Sequence, residues 1–590
     1  MELHSMPLFR FCFALALGLS LVSSASAQLP SAYDLRSVAT PLGNVAWVSD
    51  IQDQGTAEDC WTFASALAMD SSLLMQGVLP TGSTAPAPMV SSWHLSVANG
   101  NPNQIIPGQA FGSNSNWGGF EYMALGYVTR GSGLWTIPGN YNPATHVTTL
   151  GGGPVSNAAN PANVFPSVIS NYDGNDNDFV PNPLTPLLPP TNQPTAWRAT
   201  KVSILDQGFS TNVALPTPTG TESIGGSSYH TYSYTLGAAD PQVQAVKEAI
   251  LANGAVTTSM NAQYSAFVSV QNPTGSLVPY SVNYVNPKTA TGYSDHEVAI
   301  IGWNDNYTIT SGGNTTTGAW LVQNSWGTNY WNGTNADPND GTFWAAYDDA
   351  VIGRSGVASF QMASMDKYTQ TVLQNELGPM EYAGNFEVIG GVGYNFVGSP
   401  TGMAPIEASS VRSILTPTTN TRLGALGLAT QIANVEVNAS IYEWNPGTQT
   451  LGSLLTSATF TNDSIGFFLG ELPESLILNG GQSYAVQLAY SQGGSPILGA
   501  APMTIGGSGI NGYLTVNAGL SYCLNPTTGQ WEDLDSLSFT AFSGSGPNAK
   551  GGILFLKGYG TVPEPTSLAL VGMAAAALCG RQLLRRRRTA

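Results

Sequence analysis

The strongest constraint on how this chain folds lies at residues 54–65. A polar, glycine-containing loop, Gln54-Gly55-Thr56-Ala57-Glu58-Asp59, runs straight into Cys60-Trp61-Thr62-Phe63-Ala64-Ser65. Beyond Cys60, the apolar residues Trp61, Phe63, Ala64, Leu67, Ala68, Leu73 and Leu74 recur at helical spacing, and Ala and Leu are strong helix formers. The pattern predicts a helix with Cys60 in its first turn. A helix start carries unpaired N–H groups and the positive end of the helix dipole. Both favour a thiolate, the reactive form of cysteine. A lone cysteine is also commonly a buried apolar side chain, so this stretch alone leaves both roles open.

Two later stretches bear on that choice. Ser294-Asp295-His296-Glu297 opens the apolar, strand-like run Val298 to Trp303, and Trp320-Leu321-Val322-Gln323 ends at Asn324-Ser325-Trp326-Gly327. A cysteine nucleophile needs a base for its proton and a third group to orient that base. Cys, His and Asn stand here in that order, and with it the chain resembles the papain-like cysteine peptidases. The resemblance implies an α+β, two-lobed catalytic domain, with a helical lobe and a β-barrel-like lobe. It implies Cys60 as nucleophile and His296 as base. Asn324 would orient the base, Trp326 would cover that bond, and Gln54 would serve the oxyanion hole. Gly118 and Gly119 match the glycine pair that binds substrate backbone, since glycine lets another chain approach closely. A thiolate–imidazolium pair and a polypeptide substrate follow by the same resemblance.

The departures are specific. Ala57 stands where the family has a second cysteine, and Asn116 where that cysteine has its partner, so both halves of a bridge are missing together. Glu58 and Asp59 precede Cys60, and carboxylates there oppose ionisation of the thiol. His296 follows Cys60 at a spacing that requires an insertion of roughly 100 residues. Residues 136–240, rich in Pro, Asn, Thr, Ser and Gly, are the expected loop-dominated insertion within a peptidase domain spanning 28–362. Inside it, Asp173 to Asp178 has calcium-loop composition but lacks the spaced terminal glutamate. No histidine shows metal-ligand spacing, so neither a metal nor any other cofactor is expected.

Only 9% of the 590 residues are charged, the net charge is −18, and Gly (67) and Pro (38) are abundant. That balance argues against nucleic acid and anionic membrane as partners, because both require basic surface. Residues 1–27 read as a signal peptide: Arg10, an apolar run from Phe11 to Val22, and Ala25-Ser26-Ala27 as cleavage site. Cys12 departs with it and Cys579 lies in the C-terminal tail, so Cys60 and Cys523 remain and no structural bridge is expected. With the signal peptide ending at 27, the inhibitory propeptide usual in the family is not expected before Leu29-Pro30.

Helices are expected at Glu121–Val128 and Pro241–Asn253, and strands at Ala255–Met260 and Thr342–Tyr347. From 366 to 558 short alternating runs separated by Gly, Asn and Pro turns suggest an antiparallel β-sandwich. It resembles the lectin-like domain that follows some papain-like domains, which implies a carbohydrate or matrix ligand. Residues 559–590, with Val562-Pro563-Glu564-Pro565, the apolar Leu568–Cys579 and Arg585 to Arg588, resemble a PEP-CTERM sorting signal. That implies a sorting protease (exosortase-like) as partner, transient membrane retention by a short transmembrane helix, and a cell-surface, matrix or secreted destination. The reading is an exported cysteine endopeptidase; the competing one is a non-catalytic surface or matrix binding protein on a peptidase-derived fold. Transglutaminase-like acyl transfer is a third class, against which Asn324-Ser325-Trp326 argues.

Overall fold

In the computed structural model the described residues are 29–41, 43–49, 51–52, 54, 59–76, 89–90, 92, 95, 121–129, 136–137, 140–142, 147–150, 153–156, 197–206, 220–224, 227–232, 237–262, 267–270, 281–284, 290–291, 294–311, 314–326, 341–364, 367–368, 370–373, 381–382, 410–430, 432–497, 502–505, 518–525, 528–536, 538–539, 549–550 and 552–563. Gly118 and Gly119, Glu58, the signal peptide, the acidic turn at 173–178 and the apolar tail all lie outside them. Three sequence expectations about helices land closely. The first helix, α1, is Cys60–Met75. Trp61 to Leu74 are all buried. A helix buried on every side lies in the middle of a protein, and α1 packs there, against strands on one side and α2 (Glu121–Thr129) on another.

The helix α3 spans Pro241–Asn253, with Asp240 accepting hydrogen bonds from the Gln242 and Val243 N–H groups and Pro241 at the first position. These are the expected start signals of a helix. Gly254 ends it at φ +93°, and a Cβ there would fall 2.3 Å from the Ser71 hydroxyl of α1. Only glycine meets both conditions.

Inside the stretch expected to be loop-rich, Trp197–Ile204 forms a strand, β1. It is followed by β2 (Val256–Met260), β3 (His296–Ser311), β4 (Asn314–Gln323), β5 (Thr342–Ala346) and β6 (Ala358–Ser364). The sandwich contributes β7 (Ser410–Leu415), β8 (Thr421–Thr430), β9 (Val435–Asn445), β10 (Ile465–Leu478), β11 (Tyr484–Gln492) and β12 (Lys557–Thr561).

One 13-stranded sheet carries the order β5-β4-β3-β2-β6-β1-β10-β8-β12 through its middle. All neighbours in that run pair antiparallel. The bridging strand is β1: Ser359 of β6 faces Ser203 on one edge, and Gly466 of β10 faces the same Ser203 on the other. At Gly466, φ is +115° and an added Cβ would meet the Val202 carbonyl oxygen at 2.1 Å. The junction thus depends on a bare backbone.

Side chains reinforce it. Arg198 on β1 is buried, lies 4.5 Å from the Tyr559 ring centroid and donates to the Tyr368 carbonyl. Tyr559 on β12 donates its hydroxyl to the Thr129 carbonyl at the end of α2. One apolar cluster joins Trp61 and Met69 of α1 to Phe360 of β6, Phe467 of β10 and Tyr559 of β12. The sandwich is therefore built onto the core behind α1. A second sheet of seven strands, containing β9, β11 and β7, closes over the β8–β10 layer around its own core of Val437, Ile441, Leu426, Val486 and Leu488. Helices are few, and the described structure is dominated by antiparallel sheets.

Candidate active site

Register brings the expected residues to one end of the large sheet. His296 is the first residue of β3 and pairs with Met260 of β2. Gln323 closes β4 opposite Ala299, so Asn324 emerges at the same end. The Gln54 N–H donates to the Ser325 carbonyl at 2.7 Å, and the Ser325 hydroxyl donates to Gln54 Oε1 at 2.5 Å. Cys60 completes the group: its sulfur accepts a hydrogen bond from the backbone N–H of Glu297, the residue after His296. The helix start, the β3 start and the β4 end thus meet, and Gln54 is clamped against Ser325. Gly118 and Gly119 remain outside the described residues.

The histidine's protonation follows from its partners. Its Nε2 lies 2.8 Å from Asn324 Oδ1. That oxygen also accepts the Ser325 N–H at 2.7 Å, which fixes it as the oxygen end of the amide. An amide oxygen only accepts, so Nε2 carries the proton. Burial lowers the His296 pKa to about 4, with the Asn324 bond opposing the shift. The ring is therefore neutral near pH 7, and its Nδ1 is the unprotonated, basic nitrogen. The Trp326 ring stacks on the imidazole at 4.5 Å between centroids and 25° between planes.

The thiol is held neutral as well. Burial pushes Cys60 up to about 12; the Glu297 carboxylate adds to the shift, the Glu297 N–H opposes it, and Asp59 raises it further. The helix dipole expected to favour a thiolate is outweighed here by desolvation and two carboxyl groups. The resting pair is thus a thiol and an imidazole rather than two ions. A cavity of about 20 Å3, lined by Phe63, Leu67, Glu297, Gln323 and Ser325 among others, adjoins the group. It has room for about one water.

Two contributors escaped the sequence reading. Ser325 was quoted only as part of a motif, although its hydroxyl orients Gln54. Glu297 drew no attention, although a carboxylate inside an otherwise apolar strand, directly after a candidate base, is itself a signal. Cys60 and Cys523, the two described cysteines, are both free. Among the described residues no group of His, Cys, Asp and Glu could hold a metal ion, and no helix is long and apolar enough to cross a membrane. His94 and His146 lie outside the described residues.

Comparisons with known proteins fit this arrangement. The family model for papain family cysteine proteases matches residues 219–335, which include His296 and Asn324. The PEP-CTERM protein-sorting motif matches residues 561–588. No curated protein matches. Among solved structures, the cysteine protease and lectin-like domains of Cwp84, a surface layer associated protein of Clostridium difficile, align with a TM-score of 0.52 at 16% identity, covering 91% of this chain and 90% of that one. The clostridial cysteine protease Cwp84 after propeptide cleavage aligns with a TM-score of 0.51 at 16% identity, covering 88% of this chain and 97% of that one. The sequence thus carries a papain family cysteine protease match and a PEP-CTERM motif on a chain that shares the fold of the Cwp84 protease and lectin-like domains.

Proposed function

We propose that this chain is an exported cysteine endopeptidase working through Cys60, His296, Asn324 and Gln54. The observation that carries the reading is the Nε2–H bond of His296 to Asn324, which leaves Nδ1 basic beside the helix start that bears Cys60. As substrate enters, Nδ1 takes the thiol proton while sulfur attacks the peptide carbonyl carbon. The carbonyl π electrons move onto oxygen, where the Cys60 N–H and the Gln54 side-chain amide would hold the charge. Such donors are typically worth about 2.7–4 kcal/mol each. The imidazolium then protonates the departing amine nitrogen as the C–N bond breaks and a thioester forms. Water, deprotonated by Nδ1, releases the acid and restores the thiol. Trp326 shields the His296–Asn324 bond from water, and Gly118 and Gly119 pair with substrate backbone.

The same reading divides the chain into a two-lobed peptidase domain (28–362), a lectin-like sandwich (366–558) with a carbohydrate or matrix ligand, and a sorting tail (559–590). The tail would be cut by an exosortase-like protease at the membrane, leaving the enzyme at the cell surface, in the matrix or secreted. A non-catalytic binding protein is the second reading, favoured by the burial and, after it, the neighbouring acids that hold Cys60 protonated. Covalent labelling by a thiol-directed epoxide at mildly acidic pH separates the two. The peptidase reading expects adduct on Cys60, not on Cys523, and no adduct in His296→Ala. Equal labelling of wild type and His296→Ala would reject the pairing.

A further inference from the structure

Glu297 is 4% exposed, and its Oε1 has no hydrogen-bond partner. It stands one residue past the candidate base, and its N–H donates to the Cys60 sulfur. Facing its carboxyl are Glu121 at the start of α2, Asp206 just after β1 and the Thr257 hydroxyl of β2. Cys60 faces it from α1, with Asp59 beside it. The Thr257 hydroxyl donates to the Gly356 carbonyl at 2.7 Å and accepts the Ala358 N–H at 3.0 Å. What it still offers Glu297 is a lone pair, which serves a protonated carboxyl and not a carboxylate. Three carboxyl groups from three separate elements thus converge behind the Cys60 sulfur, and each opposes ionisation of the others. Together these surroundings hold Glu297 as the neutral acid.

The neutral form places no charge beside Cys60. The charge with which Glu297 opposes ionisation of that thiol belongs to its ionised form. Once ionised, the carboxylate stands where negative charge must develop as the thiol proton passes to Nδ1. It raises the cost of that charge, and burial leaves little water to screen it. His296 gains nothing in return. Neighbouring side chains on a strand point to opposite faces, and the imidazole answers first to burial and then to Asn324 and Asp295. The effect of Glu297 therefore falls on the sulfur.

We propose that Glu297 governs proton transfer from Cys60: protonated, it permits transfer to His296; ionised, it withholds it and closes the working pH range of the site on its alkaline side. The inference rests on the peptidase reading and adds the group that regulates the same site. Glu297 is a positioning residue here, acting through the sulfur and touching no substrate. Glu121 sets where the range closes. Its charge helps Glu297 keep its proton, so without that charge Glu297 ionises at lower pH.

The test uses the full chain and two readouts, initial rates on fluorescently labelled casein and the rate of epoxide adduct formation at Cys60, followed by mass spectrometry. Both are measured from about pH 6 to about pH 10, at a temperature where circular dichroism shows the fold intact. Where casein resists cleavage, the adduct rate alone is read. In the wild type the rates should fall by at least about fivefold toward the alkaline end. In Glu297→Gln they should stay within about twofold of their neutral values, and in Glu121→Gln the fall should begin at lower pH. A merely structural loss lowers rates at every pH and does not move the alkaline limb in opposite directions in the two variants. Cys60-dependent rates that hold level to about pH 10 in the wild type, or a limb unmoved in Glu297→Gln, overturn the role of Glu297 and leave the peptidase reading standing. If Glu297→Gln fails to fold, Glu121→Gln decides: a limb shifted to lower pH supports the proposal and an unmoved one overturns it. Absence of casein cleavage together with absence of adduct at Cys60 at every pH overturns both.

Discussion

Two strands of this protein bury their residues in opposite ways. In β9 of the sandwich, Val435, Val437, Ala439 and Ile441 face the core while Glu436 and Asn438 face solvent. In β3, His296 to Trp303 are buried without a break, His296 and Glu297 included. An alternating strand separates its polar residues from its core at no electrostatic cost. A strand covered on both faces cannot, and any polar side chain within it gives up its hydration. Polar groups kept at such a position must be held by partners or needed for chemistry. At β3, Asn324 and Trp326 hold His296, and Glu297 touches Cys60.

The largest expected effect breaks the comparison at its functional end. His296→Ala should lower peptide hydrolysis by about 1,000-fold or more, measured as kcat, because on the proposed reading the thiol loses its base. An effect under about tenfold would mean that His296 is a packing residue like Val298.

The next tests the shared core. Phe467→Ala, in the sandwich but packed in the same cluster as Trp61, should cost about 3–5 kcal/mol in urea unfolding. The account predicts one cooperative transition that carries peptidase activity down with it. A separate sandwich transition that leaves activity intact would show two independent halves.

That shared core is also where sequence and structure part most clearly. The helix α1, α3 and the sandwich strands were legible, because caps, helical spacing and period-2 alternation are local signals. Cys60, His296 and Asn324 were legible as a set only through their order and flanking motifs. What lay hidden was non-local. Trp197–Ile204 sits in a stretch whose composition says loop, and its role comes from edges offered by β6 and β10 far along the chain. The carboxyl cluster was equally hidden, since Glu121, Asp206 and Glu297 are far apart in sequence.

A third expectation concerns pH. Burial raises Glu121 to about 8 and Asp206 and Asp70 to about 7, from ordinary values of 4.5, 3.8 and 3.8. Raised folded values mean that the native state holds these protons more tightly than the unfolded chain. Their stabilisation is complete below about pH 4 and is lost as pH rises through 7–8. His296 acts oppositely: lowered from 6.5 to about 4, it destabilises the fold as pH falls across that window. The three acids outweigh the one histidine, so thermal unfolding should show a lower Tm above about pH 8 than near pH 6. A flat profile from 6 to 9 would mean that the acids are solvated. Glu121→Gln should weaken the alkaline decline.

The smallest effects belong to the alternating strand. Glu436→Ala should change stability by no more than about 0.5 kcal/mol, while Val437→Asp beside it should cost over about 4 kcal/mol. Similar costs for the two would remove the contrast between the strands.

The central claim is that the start of α1 and the start of β3 form one reactive pair, and peptide-library hydrolysis by the full chain and its Cys60→Ala variant tests it most directly. The account predicts cleavage by the wild type and background rates for the variant. Equal turnover by both proteins would contradict it.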